Sequence, residues 1–185
     1  MPHSHLANLT DDLLARAAGI RLVCFDVDGT LTDGRLYFDS EGHESKAFNV
    51  RDGLGINLLR KAGIGAAFIT ARKGSVTEHR GRDLDVPVYV TRDKLGKVHE
   101  LCAGMGIRPG QVAFMGDDVA DLPVFREVGL AVAPADAHPW TARQAHWRTQ
   151  AGGGHGAARE LCDLLLAVNG QVDALVEHGL TGPRP

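Results

Sequence analysis

The sequence predicts an α/β fold: a parallel β-sheet with helices on both faces, in the three-layer Rossmann-like arrangement. Three observations carry this. Short apolar runs of strand character alternate with helical segments along the chain of 185 residues. The runs are apolar throughout and do not alternate with polar residues, which is the pattern of strands buried on both faces. Parallel strands need long crossovers, and right-handed βαβ units place those crossover helices in two outer layers.

Taken in order, strands are expected at 22–26, 66–70, 86–90, 112–117 and 130–133. Helices are expected at 9–18, 54–62, 75–84, 94–105, 120–128 and 157–168. Residues 34–50 break the rhythm. Leu36-Tyr37-Phe38 and Ala47-Phe48-Asn49-Val50 flank the turn-rich Asp39-Ser40-Glu41-Gly42, which predicts a β-hairpin inserted between the first strand and its helix. Gly152-Gly153-Gly154 reads as a flexible loop ahead of a helix. Residues 170–185 read as a tail that is mobile unless a partner holds it, and the segment around His3 and His5 as disordered. No repeat or low-complexity linker divides the chain, so residues 1–185 are expected to form one domain.

Composition narrows the function. With 44% hydrophobic and 23% charged residues the chain reads as soluble and globular. The formal net charge is −3 and the basic residues are scattered, which gives no nucleic-acid footprint. No apolar run approaches the roughly 20 residues a membrane span needs, and the first residues lack the basic-then-apolar pattern of a secretory leader. Cys24, Cys102 and Cys162 are widely spaced and suit neither a zinc site nor a disulfide framework. They are expected as small core residues in a reducing cytoplasm.

In an open parallel sheet, ligands collect beyond the carboxyl ends of the strands. The residues expected there are Asp26 and Asp28 after the first strand, Thr70 and Arg72 after the second, Lys94 at a helix start, and Asp117, Asp118 and Asp121 after the fourth. Two acids at the mouth of a buried strand cost free energy through repulsion and desolvation. A cation must sit there, or one acid must do chemistry. Mg2+ prefers about six oxygen ligands and keeps several waters, so two or three protein oxygens suffice. Asp26 and Asp117 are the candidate carboxylate ligands. Thr70 and Lys94, a neutral donor and a fixed ammonium, suit a phosphoryl group. A carboxylate that attacks phosphorus needs a second carboxyl to protonate the departing alkoxide and then activate water, and Asp28 fits that task.

Taken singly, several of these residues have plainer readings. Thr70 suits a strand-end hydroxyl and Lys94 a solvated lysine with Lys97 as its close competitor. Asp118 and Asp121 suit acids offsetting a helix dipole. A calcium loop is excluded, because its sixth and twelfth positions would be Leu31 and Tyr37 instead of glycine and glutamate.

As an ordered set, Asp26-Val27-Asp28-Gly29-Thr30, Thr70, Lys94 and Gly116-Asp117-Asp118-x-x-Asp121 resemble the four motifs of the haloacid dehalogenase superfamily of phosphatases. The resemblance implies Asp26 as nucleophile and Asp28 as acid and base. It implies Mg2+ held by the Asp26 carboxylate, the Asp28 backbone carbonyl and Asp117, with Asp118 and Asp121 behind them. The intervals between motifs hold no cap domain, so the chain resembles the capless members. Lys46 to Gly53, Ile69 to Lys73, Ala135 to Pro139 and the segment 153–160 resemble the 3-deoxy-D-manno-octulosonate 8-phosphate (KDO 8-phosphate) phosphatase family over nearly the full length. That implies a phosphorylated sugar-acid substrate of lipopolysaccharide synthesis. It also implies a homotetramer whose hairpins and C-terminal segments complete neighbouring sites. Substrate contacts are implied at Asn49, Val50, Arg51, Asp52, Gly53, Asn57, Arg72 and Arg80, beside Asp28 and Lys94. Arginine can grip a carboxylate with two prongs, as lysine cannot. Asn57 and His155 depart from the family, standing where close relatives carry arginine. A nine-carbon sialic-acid-type sugar 9-phosphate stays open as substrate, and a phospho-accepting switch or an oligomerisation module as a non-enzymatic alternative.

Overall fold

The computed structural model describes residues 9–181, so His3, His5 and the closing residues 182–185 lie outside it. Helix α1 (Asp11–Ala18) opens under the Thr10 cap, whose hydroxyl accepts from the Leu13 N–H at 3.2 Å. Strand β1 (Leu22–Phe25) leads to a hairpin of β2 (Tyr37–Phe38) and β3 (Glu44–Ser45). The order then runs α2 (Val50–Lys61), β4 (Gly65–Thr70), α3 (Ser75–Asp83), β5 (Val88–Val90) and α4 (Lys94–Met105). It closes with β6 (Val112–Met115), α5 (Leu122–Phe125), β7 (Leu130–Ala133), α6 (Pro139–Ala142), β8 (Trp147–Arg148), α7 (Ala157–Val168) and α8 (Val172–Thr181).

Six strands pair in parallel in the order β5-β4-β1-β6-β7-β8, and the hairpin stands apart as a two-stranded sheet. The central strand β1 sets Phe25 beside Phe68 on one side and Met115 on the other. The chain winds outward from β1 to β4 and β5, then returns to build β6, β7 and β8 on the opposite side. That reversal opens a crevice at the carboxyl ends of β1 and β6. Alternate residues of β1 enter opposite layers. Val23 and Phe25 pack with Ile56, Leu59, Leu161 and Leu165 of α2 and α7. Leu22 and Cys24 pack with Val98, Val124 and Phe125 of α4 and α5. The expected three layers are present, and all three cysteines are buried. Among the described residues no helix is long and apolar enough to cross a membrane.

Several boundaries correct the sequence reading. The hairpin returns at residues 44–45, because Asn49 already caps α2 by accepting from the Arg51 N–H at 2.8 Å. The helix expected at 120–128 splits. Asp118 and Asp121 cap each other around a 3-10 turn, Val119–Asp121, and Pro123 sits in the first turn of the new helix α5, where its missing N–H does no harm. Helix α8 occupies ten residues of the segment read as a tail. The glycine run is not a flexible loop. A Cβ on Gly153 would collide with the Gly29 carbonyl, and the Gly154 N–H donates to the Thr30 carbonyl at 3.0 Å. These glycines let the C-terminal part of the chain press against the loop that follows β1.

Candidate active site

The site is built where β1 and β6 end. The Asp26 N–H donates to the Met115 carbonyl at 2.9 Å, so the backbone stays in line with the sheet while the side chain turns into the crevice. Beyond it the N–H groups of Leu31 and Thr32 converge on the Val27 carbonyl at 2.9 and 3.1 Å, closing a tight loop. Gly29 takes φ +90° there, and the Asp117 carboxylate lies where a Cβ would be. Only glycine meets both demands.

Lys94, the first residue of α4, is 4% exposed and is held by two acids. Its Nζ lies 2.7 Å from Asp26 Oδ1 and 2.6 Å from Asp121 Oδ1. The other Asp121 oxygen accepts from the Asp117 N–H at 3.1 Å. Asp118 is exposed and accepts from the Val119 N–H at 2.7 Å, a helix-start duty. Thr70 ends β4 and is buried. Its Oγ1 accepts from the Arg72 N–H at 3.1 Å, which orients the hydroxyl with its proton still available to donate.

Carboxylate oxygens of Asp26, Asp117 and Asp121 all lie within 4.8 Å of one another. Burial, with the nearby Asp121 charge, pushes Asp26 up to about 8 against the opposing pull of Lys94. Burial and the Asp121 and Asp118 charges push Asp117 up to about 6. Asp121 is also raised, chiefly by burial. For Lys94, burial works against the charge, but the Asp26 and Asp121 carboxylates outweigh it and hold the ammonium above its usual range. Three carboxylates facing one ammonium leave an excess of two negative charges, which one divalent cation balances. An all-oxygen donor set suits a hard cation such as Mg2+. Asp121 has committed both oxygens to Lys94 and the backbone, so Asp26 and Asp117 are the carboxylates left to reach such an ion.

Asp28 sits on the hairpin side of the cleft. Lys46 Nζ approaches its Oδ1 at 2.5 Å, and Arg72 Nε stands 3.8 Å from Oδ2. Glu44 links the two cations, with Oε1 at 3.4 Å from Lys46 and Oε2 at 3.1 Å from Arg72. The sequence reading missed Lys46 and Glu44 as site residues. Their spacing offered little signal, because Lys46 lies one residue beyond β3 and a lysine beside a polar turn reads as solvated.

The remaining expected contact residues divide. Val50, 82% exposed, and Arg51 face outward at the start of α2. Asn49 caps that helix and donates from Nδ2 to the Gly154 carbonyl at 3.3 Å. Asp52 is buried and accepts from the Arg159 N–H at 2.8 Å, capping α7 from a distance where Gly156 offers no side chain. Gly53 leaves room for the Arg80 guanidinium, which a Cβ would strike. Arg80 pairs with Asp83 at 2.7 Å, donates to the Asn49 carbonyl at 3.3 Å and lies 5.6 Å above the Phe48 ring. Asn57 is half-buried on α2, and His155 is exposed with Nδ1 2.6 Å from the Gly153 carbonyl.

A capless parallel sheet with these carboxylates at its switch point defines a haloacid dehalogenase-like hydrolase, and the model of that family matches residues 90–161. The chain is 46% identical over 167 residues to the 3-deoxy-D-manno-octulosonate 8-phosphate phosphatase of Yersinia pestis, covering 89% of each protein. It therefore belongs to the 3-deoxy-D-manno-octulosonate 8-phosphate phosphatase family. Among solved structures, a hypothetical protein from Xanthomonas campestris superposes with a TM-score of 0.94 at 55% identity, over 96% of this chain and 98% of that one. The Moraxella catarrhalis phosphatase, solved in complex with magnesium, phosphate and KDO, superposes with a TM-score of 0.88 at 34% identity, over 91% of this chain and 98% of that one.

Proposed function

We propose that this protein is a Mg2+-dependent phosphatase that hydrolyses KDO 8-phosphate to KDO and phosphate. The observation that carries this reading is the convergence of Asp26, Thr70, Lys94 and Asp117 at the carboxyl ends of β1, β4 and β6, with Asp28 two residues from Asp26. Family membership supplies the substrate.

The Asp26 carboxylate attacks phosphorus and the sugar alkoxide leaves with the bonding electrons, taking a proton from Asp28. Asp28 then accepts a proton from water as that water attacks the aspartyl phosphate, which releases phosphate and restores Asp26. Lys94 fixes Asp26 through Oδ1, and with the Thr70 hydroxyl it offers hydrogen-bond donors to the phosphoryl oxygens. Asp26, the Asp28 carbonyl and Asp117 would hold Mg2+, with Asp118 and Asp121 supporting them. When bound, the ion offsets negative charge on the phosphoryl oxygens. Arg72 and Arg51, at the mouth of the site, suit the sugar-acid carboxylate, with the segment from Asn49 to Gly53, Asn57 and Arg80 forming the neighbouring wall.

The assembly is read as a homotetramer in which neighbouring subunits cover the open cleft. Leu36, Tyr37 and Phe38 of the hairpin, with Val50 and Leu54, present an exposed apolar rim that supports this. One catalytic domain, acting in the cytoplasm on a lipopolysaccharide precursor, completes the reading.

Phosphate release from a panel of sugar phosphates, with and without Mg2+, tests it. Mg2+-dependent turnover with KDO 8-phosphate as best substrate is expected. Preference for a nine-carbon acid 9-phosphate would move the substrate and keep the chemistry. Stable phosphorylation of Asp26 without turnover would overturn the phosphatase reading.

A further inference from the structure

Lys46 is the most deeply buried cation on the hairpin side of the cleft. It follows β3 on a hairpin where Arg35, Asp39, Glu41 and His43 are exposed, yet its own side chain is 2% exposed. Burying an ammonium is unfavourable unless it is paired and hydrogen-bonded, so a lysine that merely aids solubility would point outward. Lys46 instead reaches Asp28 Oδ1 at 2.5 Å, the one hydrogen bond that the Asp28 carboxylate accepts among the described residues. Its charge is balanced locally. Asp28, Lys46, Glu44 and Arg72 form a closed square of two carboxylates and two cations. Two oxygens of this square, Asp28 Oδ2 and Glu44 Oε1, are buried and accept no hydrogen bond; Glu44 Oε1 still faces the Lys46 ammonium at 3.4 Å, whereas Asp28 Oδ2 has only Arg72 Nε at 3.8 Å.

The contrast with the rest of the cleft is informative. Asp121 is tied down by the backbone and Asp26 by a lysine rooted in a helix of the main fold. Asp28 has no comparable anchor of its own, and the hairpin provides it. A general acid must be held within hydrogen-bond reach of the oxygen that it protonates, in one rotamer.

We infer that Lys46 is a positioning residue for proton transfer: by holding Asp28 Oδ1 it leaves Oδ2 as the atom that gives the proton to the leaving alkoxide and takes one from water. Glu44 steadies Lys46, and Arg72 closes the square from the far side. The inference rests on the phosphatase reading above. Within that reading it assigns the hairpin a catalytic duty in its own subunit.

The test compares Lys46→Met and Lys46→Arg with the wild-type enzyme on two substrates in the presence of Mg2+. One is a sugar phosphate with a poor alkoxide leaving group; the other is an aryl phosphate whose phenolate leaves without protonation. Burst amplitude reports transfer to Asp26, and steady-state rates give kcat and KM. For Lys46→Met, the burst rate with the sugar phosphate is expected to fall by about 10²-fold, with KM within about 3-fold, because leaving-group protonation contributes 10²–10⁴ in such reactions. The aryl burst should persist, and Lys46→Arg should recover most of the loss.

Equal losses on both substrates would show a structural role and overturn the inference. A rise in KM alone would make Lys46 a substrate ligand and overturn it equally. If Lys46→Met does not fold, the ratio of the two burst rates is read on Lys46→Arg, where an unchanged ratio with both rates depressed overturns the proposal. Absence of Mg2+-dependent turnover in the wild type would strike the phosphatase reading itself, a separate outcome.

Discussion

The two sides of the cleft use the same kinds of residue for different ends. At the sheet end, Asp26, Asp117, Asp121 and Lys94 come from two strand ends, the turn after the second of them and a helix start, and their charges answer one another. At the rim, Asn49, Asp52, Gly53 and Arg80 are spent largely on structure. Asn49 caps α2, Asp52 caps α7, and Gly53 makes room for Arg80, which grips the backbone of the hairpin's exit. A polar side chain on the sheet end is there for charge chemistry, whereas one on the rim first holds the wall in place. The same acid therefore means different things on the two sides.

The contrast is broken most severely by Asp26→Asn. Turnover should fall by at least about 10⁴-fold, since an amide cannot form the aspartyl phosphate. The metal-free protein should melt no lower than wild type, because the change removes a carboxylate whose charge burial disfavours. Activity assays beside thermal melts check both halves. A large drop in melting temperature would mean that the sheet end is chiefly a structural ion-pair network.

A smaller effect sharpens the comparison through pH. Asp26 moves from 3.8 in the unfolded chain to about 8 in the folded one, so between those values the folded state binds more protons. Stability then falls as pH rises, because the slope follows the protons bound by the unfolded state minus those bound by the folded state. Asp117, raised to about 6, adds to the same trend. Without Mg2+, melting temperature should decline from about pH 5 to pH 8. With saturating Mg2+, which replaces the protons, the decline should flatten, and the gain on adding the metal should grow with pH. A metal-induced gain independent of pH would contradict the assigned cluster.

The smallest effect belongs to the rim. Asp52→Ala should cost about 1–2 kcal/mol of stability, as the loss of a helix cap does, with kcat within about 3-fold of wild type. Chemical denaturation and steady-state kinetics read the two. A tenfold rise in KM with stability unchanged would make Asp52 a substrate contact and erase the distinction drawn between the two sides.

Legibility from sequence followed the same division. Five strands could be read because continuous apolar runs of four or more residues carry their own pattern. Strand β8 could not, because Trp147–Arg148 offers two residues, and only pairing with Val132 and Ala133 makes them a strand. Helix α2 starts four residues before the expected position, since Asp52 and Gly53 look like turn residues until tertiary contacts bury them. The positions of Asp26, Asp28, Thr70, Lys94 and Asp117 at one end of the sheet were legible because each stands at or just beyond the end or start of a regular element. Lys46 and Glu44 were not, because a lysine beside a polar turn reads as solvated until the hairpin's orientation is known.

The press of Gly153 and Gly154 against the loop after β1 sets an order of events during synthesis. The loop bearing Asp28 and Gly29 is made early, yet its Thr30 carbonyl waits for an N–H more than a hundred residues downstream. At about 5–20 residues per second, a ribosome takes several seconds or more to deliver it. Contacts so distant in sequence are also slow to form, because the intervening chain must be ordered first. The loop bearing Asp28 and Gly29 is therefore among the last parts of the molecule able to take its final shape. A nascent chain stopped before residue 154 would carry Asp26 and Asp28 without the backing that shapes the loop.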